Sequence, residues 1–285
     1  MLLCFQSYSY GSGTFTIDNP GRTIVGVEQT YETKQDDTLI DVARNYGVGY
    51  NAIEAANKGV NPWVPDPGTK IIIPTQWIIP DDPDISKNGI LINLSGMRLF
   101  YFFEIGGHRF VQTFPIGIGY EGYDTPEGLF HVETKVVDPI WHVPDHIRQE
   151  YPHLPQYVPA GPDNPLGGYW IQFKKGYGIH GTDRPLAVGR KASSGCIRLY
   201  PEDISDLFKY VKVGTPVRIV YEPVKVTKYL GKVYIEVYND GRNITDLGAL
   251  ALKKLSGKNL LDYIDIKLLK EALVNATGLP TVISR

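Results

Sequence analysis

A histidine and a cysteine sixteen residues apart, His180 and Cys196, are the residue types in this chain best suited to acyl transfer. An ordinary thiol titrates near about pH 8.5, so a nucleophilic one needs a base or a positive potential beside it. His180, in the run Ile179-His180-Gly181-Thr182, is the candidate base that would take the thiol proton and return it to a leaving amine. Arg198, two residues past the cysteine, is the candidate source of positive potential. Gly195 allows a tight loop in which the Gly195 and Cys196 amides can face a developing oxyanion, with Ser193 and Ser194 on the same loop. Spacing alone leaves the plainer alternative open, a small buried cysteine and a structural histidine.

These residues need a scaffold, and the flanking sequence reads as strands. Gly89–Asn93, Arg98–Phe103 and Phe110–Ile116 are strand-like runs joined by short turns, which predicts an antiparallel β meander. Further strands are expected at Gly128–Val136, Trp170–Phe173 and Val217–Val220. After Arg198 a helix opens at Tyr200-Pro201-Glu202-Asp203, with Ile204, Leu207, Phe208 and Val211 on one face, placed to pack under the cysteine loop. From Thr227 the tail reads as a strand, Val233–Val237, a turn at Asn239-Asp240-Gly241 and two helices, the second from Asp265 to Ala276.

Upstream, Leu39, Val42, Ala43 and Tyr46 stand at helical spacing after Asp37-Thr38, and Gly47 suits a left-handed helix end. A second short helix is expected from Asn51 as its N-cap to Asn57, then a buried strand, Gly68–Pro74. This is a βααβ outline. The Pro-rich stretch Ile79–Asp84 ends it.

With 285 residues and 42 % apolar content the chain can bury a sizeable core. A net charge of −2 with no basic stripe argues against nucleic-acid binding. Two cysteines, Cys4 and Cys196, make no disulfide framework, and neither has metal-ligand spacing around it. The opening Met1-Leu2-Leu3-Cys4-Phe5 reads as the stub of a secretory signal, truncated or absent in this chain, and Leu3 is too large for a lipid-modified Cys4. No stretch has the length of a membrane span.

The motif His180-Gly181-Thr182 followed by Ser193-Ser194-Gly195-Cys196-Ile197-Arg198-Leu199 resembles the signature of the YkuD-type L,D-transpeptidases. Matching pieces are Pro115–Gly119, Thr125–Gly128, Pro139-Ile140-Trp141 and Pro159–Gly167. The segment with Asp37-Thr38-Leu39, Asn57 and Pro67–Pro74 resembles a LysM module, a family that binds N-acetylglucosamine polymers. Together they are similar to the periplasmic branch that attaches a lipoprotein to peptidoglycan. The resemblance implies an α+β chain: a LysM unit (28–76), a mainly antiparallel β catalytic domain (86–222) and a small α/β subdomain (227–285). It implies Cys196 as nucleophile, His180 as base, Gly181 as the carbonyl-bearing residue that orients it, Gly195 with Ser194 and Ser193 on the oxyanion loop, and Arg198 and Trp141 as substrate contacts. Many relatives carry histidine where this chain has Ser194.

The implied partners are peptidoglycan stem peptides and glycan strands, with a stem amine, a lipoprotein lysine or water as acyl acceptor, in the periplasm or cell envelope. No cofactor or metal is implied. An L,D-carboxypeptidase-type hydrolase and a non-catalytic wall-binding protein are the competing functions.

Two features are set aside and a third is kept as an expectation. Gly117-Ile118-Gly119-Tyr120-Glu121-Gly122 spells a dinucleotide fingerprint, but no helix is expected after it. His142, His146 and His153 are interrupted by Pro144 and Pro152, against a shared metal-binding helix face. The long proline-rich segment Pro139–Gly167 has the character of a lid or of surface padding, with Trp141 and Tyr157 as candidate cleft aromatics and Trp170 as either a cleft or a core residue.

Overall fold

In the run Leu99-Phe100-Tyr101-Phe102-Phe103 every residue is apolar, a pattern that suits a strand covered on both faces rather than one. The computed structural model, which describes residues 13–239, 241 and 246–285, shows that double cover. The Met1–Phe5 opening with Cys4, and Asp240 of the predicted turn, lie outside the described residues.

The strand Arg98–Ile105 sits inside a six-stranded sheet ordered Gly13–Thr16, His108–Pro115, Arg98–Ile105, Gly89–Asn93, Pro216–Val220, Gly128–His131. Side chains alternate across it. Ile90, Ile92, Leu99, Tyr101 and Phe114 face one core, shared with the strand that carries His180 and the strand that follows Cys196. Leu91, Phe100, Phe102 and Val111 face a second core, made with Leu39, Val42, Ile53, Ile71 and Trp77 of the N-terminal unit.

The predicted meander holds for the first three hairpin strands, but Gly89–Asn93 then pairs in parallel with Pro216–Val220. The expected single strand Gly128–Val136 is two strands, Gly128–His131 and Thr134–Val137, in different sheets. The break falls where Val132 donates to Thr215 and Glu133 to Gln172, so the chain changes sheets between consecutive residues. The second sheet is four-stranded, ordered Thr134–Val137, Tyr169–Lys174, Tyr177–His180, Ile197–Arg198, its last pair parallel. The helix Pro201–Tyr210 packs against it through Ile204 and Leu207, with Phe208 against the Tyr169 ring.

The N-terminal unit is a βααβ fold. Strands Gln29–Glu32 and Lys70–Ile73 pair antiparallel around helices Leu39–Asn45 and Tyr50–Ala56. Thr38 caps the first helix by accepting from the Asp41 amide at 3.0 Å, and Gly47 has the predicted positive φ. Asn51 is not the second N-cap. Gly49 is, because its backbone lies against Gly189 and the Asn51 amide is used instead on the Gly96 carbonyl. Buried Asn57 behaves as an extra strand residue: its amide donates to Ile53 and Ile72 and its oxygen accepts from the Ile72 amide at 2.7 Å.

The C-terminal sheet, Val224–Tyr229, Lys232–Val237 and Thr281–Val282, opens at Val224, three residues ahead of Thr227. Helices Leu247–Gly257 and Ile266–Asn275 cover it. A buried ion pair, Lys225 with Glu236 at 2.7 Å, ties it to the strand after the βααβ unit. Lys225 donates to the Ile78 carbonyl and Glu236 accepts from the Ile78 amide.

Candidate active site

His180 ends one strand and Cys196 immediately precedes another, and the parallel register sets their relation. His180 lies opposite Arg198 and Ile179 opposite Ile197, so Cys196 stands across from Gly178. In a sheet, residues two apart share a face. His180, Arg198 and Cys196 therefore project from the same face, with the cysteine diagonal to the histidine and directly across from Gly178. Three strands align Trp170, His180 and Arg198 in one row, and the Trp170 ring stacks on the imidazole at 5.6 Å between centroids. Trp170, a candidate cleft aromatic, is thus the wall of the histidine.

The His180 ring is buried, and its Nδ1 meets the Gly181 carbonyl oxygen at 2.6 Å. A carbonyl only accepts, so Nδ1 carries the proton and Nε2 keeps its lone pair. Gly181 is the residue that orients the base. The Leu166 carbonyl also faces the ring. Burial, reinforced by the nearby Arg198 cation, pulls the His180 pKa down to about 3. The imidazole is neutral at physiological pH.

Burial raises the Cys196 thiol, opposed by the Gly178 amide, which donates to the sulfur, and by Arg198. The sulfur also lies 3.7 Å from the Gly176 carbonyl. The resting pair is a neutral thiol and a neutral imidazole.

The cysteine loop is held from within. Ser193 is buried and its hydroxyl donates to the Cys196 carbonyl, while the Gly195 amide donates to the Ser193 oxygen at 3.2 Å. That bond turns the Gly195 amide away from the expected oxyanion role. The Cys196 amide is left as the candidate donor. Ser194 is half-buried on the same loop. Gly195 itself has φ +101° and its α-carbon faces the Tyr177 ring, where a Cβ would come within 2.6 Å of a ring carbon.

Sequence reading set aside the Gly117–Gly122 run, yet it supports this loop. Gly117 exchanges backbone hydrogen bonds with Arg198, and a Cβ on Gly119 would lie 3.0 Å from the Gly195 α-carbon. The signal was present in the glycines, whose close approach needs no nucleotide.

Arg198 is half-buried, and its Nε is shut from solvent without a partner. Trp141 is elsewhere. It lies in a ribbon of its own, Trp141–His142 paired with Tyr157–Val158, and the sheet register does not bring it beside Cys196. That ribbon and the short helix Asp145–Glu150 make up the predicted lid. The three lid histidines each face a tyrosine: His142 with Tyr157, His146 with Tyr123, His153 with Tyr151. Sequence reading missed the lid's anchor, Asn164. Fully buried, it donates to the Pro139 and Pro159 carbonyls and accepts from the Leu166 amide at 2.9 Å, fixing the residue whose carbonyl faces His180.

The comparisons with known proteins identify the family. Residues 87–219 match the L,D-transpeptidase catalytic domain, and residues 31–74 match the LysM domain. A probable L,D-transpeptidase ErfK/SrfK of Salmonella typhimurium is 35% identical over 95% of this chain and 91% of its own length. The chain belongs to the L,D-transpeptidase family. A probable L,D-transpeptidase YbiS of Escherichia coli K12 is 36% identical over 94% of this chain and 90% of its own. A putative L,D-transpeptidase YkuD of Bacillus subtilis is 30% identical, covering 67% of this chain and 98% of itself. The last match spans less of this chain than the first two but more than the catalytic domain alone.

The depressed His180 pKa carries a stability consequence. In the unfolded chain a histidine protonates below about pH 6.5, whereas folded His180 resists protonation to about 3. Its contribution is complete above pH ~6.5 and is lost as pH falls toward about 3. At about 1.4 kcal/mol per unit, roughly 3 kcal/mol is lost by pH ~4. Urea midpoints of wild type and His180→Gln at pH 7 and 4 should show a smaller acid loss in the variant. Equal losses would mean the imidazole is not buried as a neutral base.

Proposed function

We propose that this protein is a cysteine-dependent L,D-transpeptidase acting on peptidoglycan stem peptides. The observation that carries the reading is the His180–Arg198 register, which sets Cys196 on the face of a base whose Nδ1 proton is committed to Gly181. Cys196 attacks the carbonyl of the diamino acid in a tetrapeptide donor while its proton passes to His180 Nε2. The proton then goes to the nitrogen of the terminal D-amino acid as the C–N bond breaks, leaving a thioester. The Cys196 amide faces the oxyanion formed in between. An acceptor amine attacks the thioester, gives a proton to His180, and the proton returns to the sulfur.

Because both groups start neutral, charge separates only during attack, when the Arg198 field and the Gly178 amide favour the developing thiolate. The Trp170 ring and the Leu166 backbone that Asn164 fixes shield the His180 imidazole from bulk water.

The LysM unit supplies attachment to glycan strands, and the lysine of an envelope lipoprotein is the acceptor that the relatives' branch suggests. Its place is the cell envelope. Among the described residues no helix is long and apolar enough to cross a membrane. Incubation with tetrapeptide muropeptides, followed by mass spectrometry, tests the reading. Cross-linked dimers or lipoprotein adducts are expected, with an acyl mass on Cys196 when a carbapenem replaces the donor. Tripeptide alone would make the protein a carboxypeptidase, and no product with no adduct would leave only a wall-binding role.

A further inference from the structure

Two arginines beside the site interact with a single aspartate. Arg184 follows the His180-Gly181-Thr182 turn and is fixed there by its amide, which donates to the Thr182 hydroxyl at 2.9 Å. Its side chain is 81% exposed. Asp183 approaches it at 3.6 Å, beyond hydrogen-bond length, and faces Arg198 as well. Arg184 and Arg198 are themselves within electrostatic reach of each other and, through Arg198, of the Cys196 sulfur. Tyr151, from the end of the lid helix, comes within range of Arg184 on the other side. Two guanidinium groups thus share one aspartate. A guanidinium fork matches a carboxylate in shape and charge.

We infer that Arg184 and Arg198 form a seat for a free carboxylate of the stem peptide, with Arg184 the residue that determines specificity for it. The inference rests on the transpeptidase reading. Arg198 forms the inner, half-buried side of the seat and Arg184 the outer, solvent side, over which the substrate enters. A tetrapeptide offers two such carboxylates, one on the terminal D-amino acid and one on the diamino-acid side chain. Charge at an exposed rim is screened, so the preference is moderate and salt-sensitive.

The test uses the full chain and three synthetic tetrapeptides: unmodified, amidated at the terminal carboxyl, and amidated at the diamino-acid side chain. For wild type, one of the two amidations is expected to raise KM about three- to fivefold with kcat changed little. In Arg184→Gln that ratio should collapse toward one, and in Arg184→Lys most of it should return. High salt should shrink the wild-type ratio and leave that of Arg184→Gln unmoved. Whichever amidation is penalised identifies the carboxylate.

Equal KM ratios in wild type and Arg184→Gln would overturn the inference and leave Arg184 a solvated cation beside Asp183. Calorimetric binding of the same peptides to Cys196→Ala protein reads the preference without turnover. A preference that depends on Arg184 there, with no turnover by the parent enzyme, would keep the seat and sink the transferase reading.

Discussion

Replacing Cys196 with alanine is expected to lower turnover of tetrapeptide donors by at least about 10⁴-fold, since removing the nucleophile of an acyl-transfer enzyme eliminates the covalent route itself. The loss should fall on kcat. Alanine leaves Arg198 and Arg184, the proposed carboxylate seat, in place. The fold should survive, because Cys196 is half-buried and its loop is held by backbone and Ser193 bonds that alanine preserves. A melting temperature within a few degrees of wild type, together with normal peptide binding, would assign the loss to chemistry. His180→Gln should cost about 10² to 10⁴-fold, because glutamine can occupy the space without serving as a base. The double variant should be little worse than Cys196→Ala alone, since the two act as a unit. Substantial turnover by Cys196→Ala would place the nucleophile elsewhere and dissolve the site as described.

The parts of this site legible in sequence are those set by local chemistry. Thr38 caps, Gly47 turns, the proline opens the helix at Pro201–Tyr210, and His180 and Cys196 stand out by residue type. What escaped is set by long-range pairing. Nothing local says that Ile197–Arg198 joins Tyr177–His180 in parallel, or that Gly89–Asn93 finds Pro216–Val220 more than a hundred residues later. The use of the Gly195 amide was misread for a related reason. Its availability depended on where one hydroxyl, that of Ser193, would turn. Asn164 escaped because a buried asparagine in a proline-rich loop gives no sign in sequence of the three proline-region carbonyls it will meet. The domain boundary at the Pro-rich stretch marks a real change of local structure, yet the hydrophobic core runs across it from Leu39 and Trp77 to Phe100 and Phe102.

That crossing is where the second large effect is expected. Arg98 is buried inside the six-stranded sheet, and burial lowers its pKa to about 10, so it stays charged at neutral pH. Its Nε donates to the Thr113 hydroxyl at 2.7 Å, its Nη2 to the Gly47 carbonyl at 3.1 Å, and its guanidinium lies 3.8 Å over the Trp77 ring. Gly47 ends the first LysM helix, so one cation fastens the LysM unit to the catalytic sheet. Arg98→Ala opens a cavity, removes the cation–π contact and orphans the Gly47 carbonyl, which together should cost about 3 to 5 kcal/mol in urea unfolding.

Arg98→Met should cost less, about 1 to 3 kcal/mol, because it fills the space and removes a buried charge while still leaving the carbonyl unpaired. The surface pair Arg44 with Glu202, at 2.9 Å but well exposed, should contribute no more than about 1 kcal/mol by the same measure. If Arg98→Ala and Arg44→Ala cost alike, docking rests on the apolar core alone. If the predicted order holds, the LysM unit sits at a fixed offset from Cys196. Loosening it with Arg98→Ala should then lower turnover on intact, cross-linked wall more than on free tetrapeptide, because only on the polymer does glycan attachment decide which stem reaches the thiol.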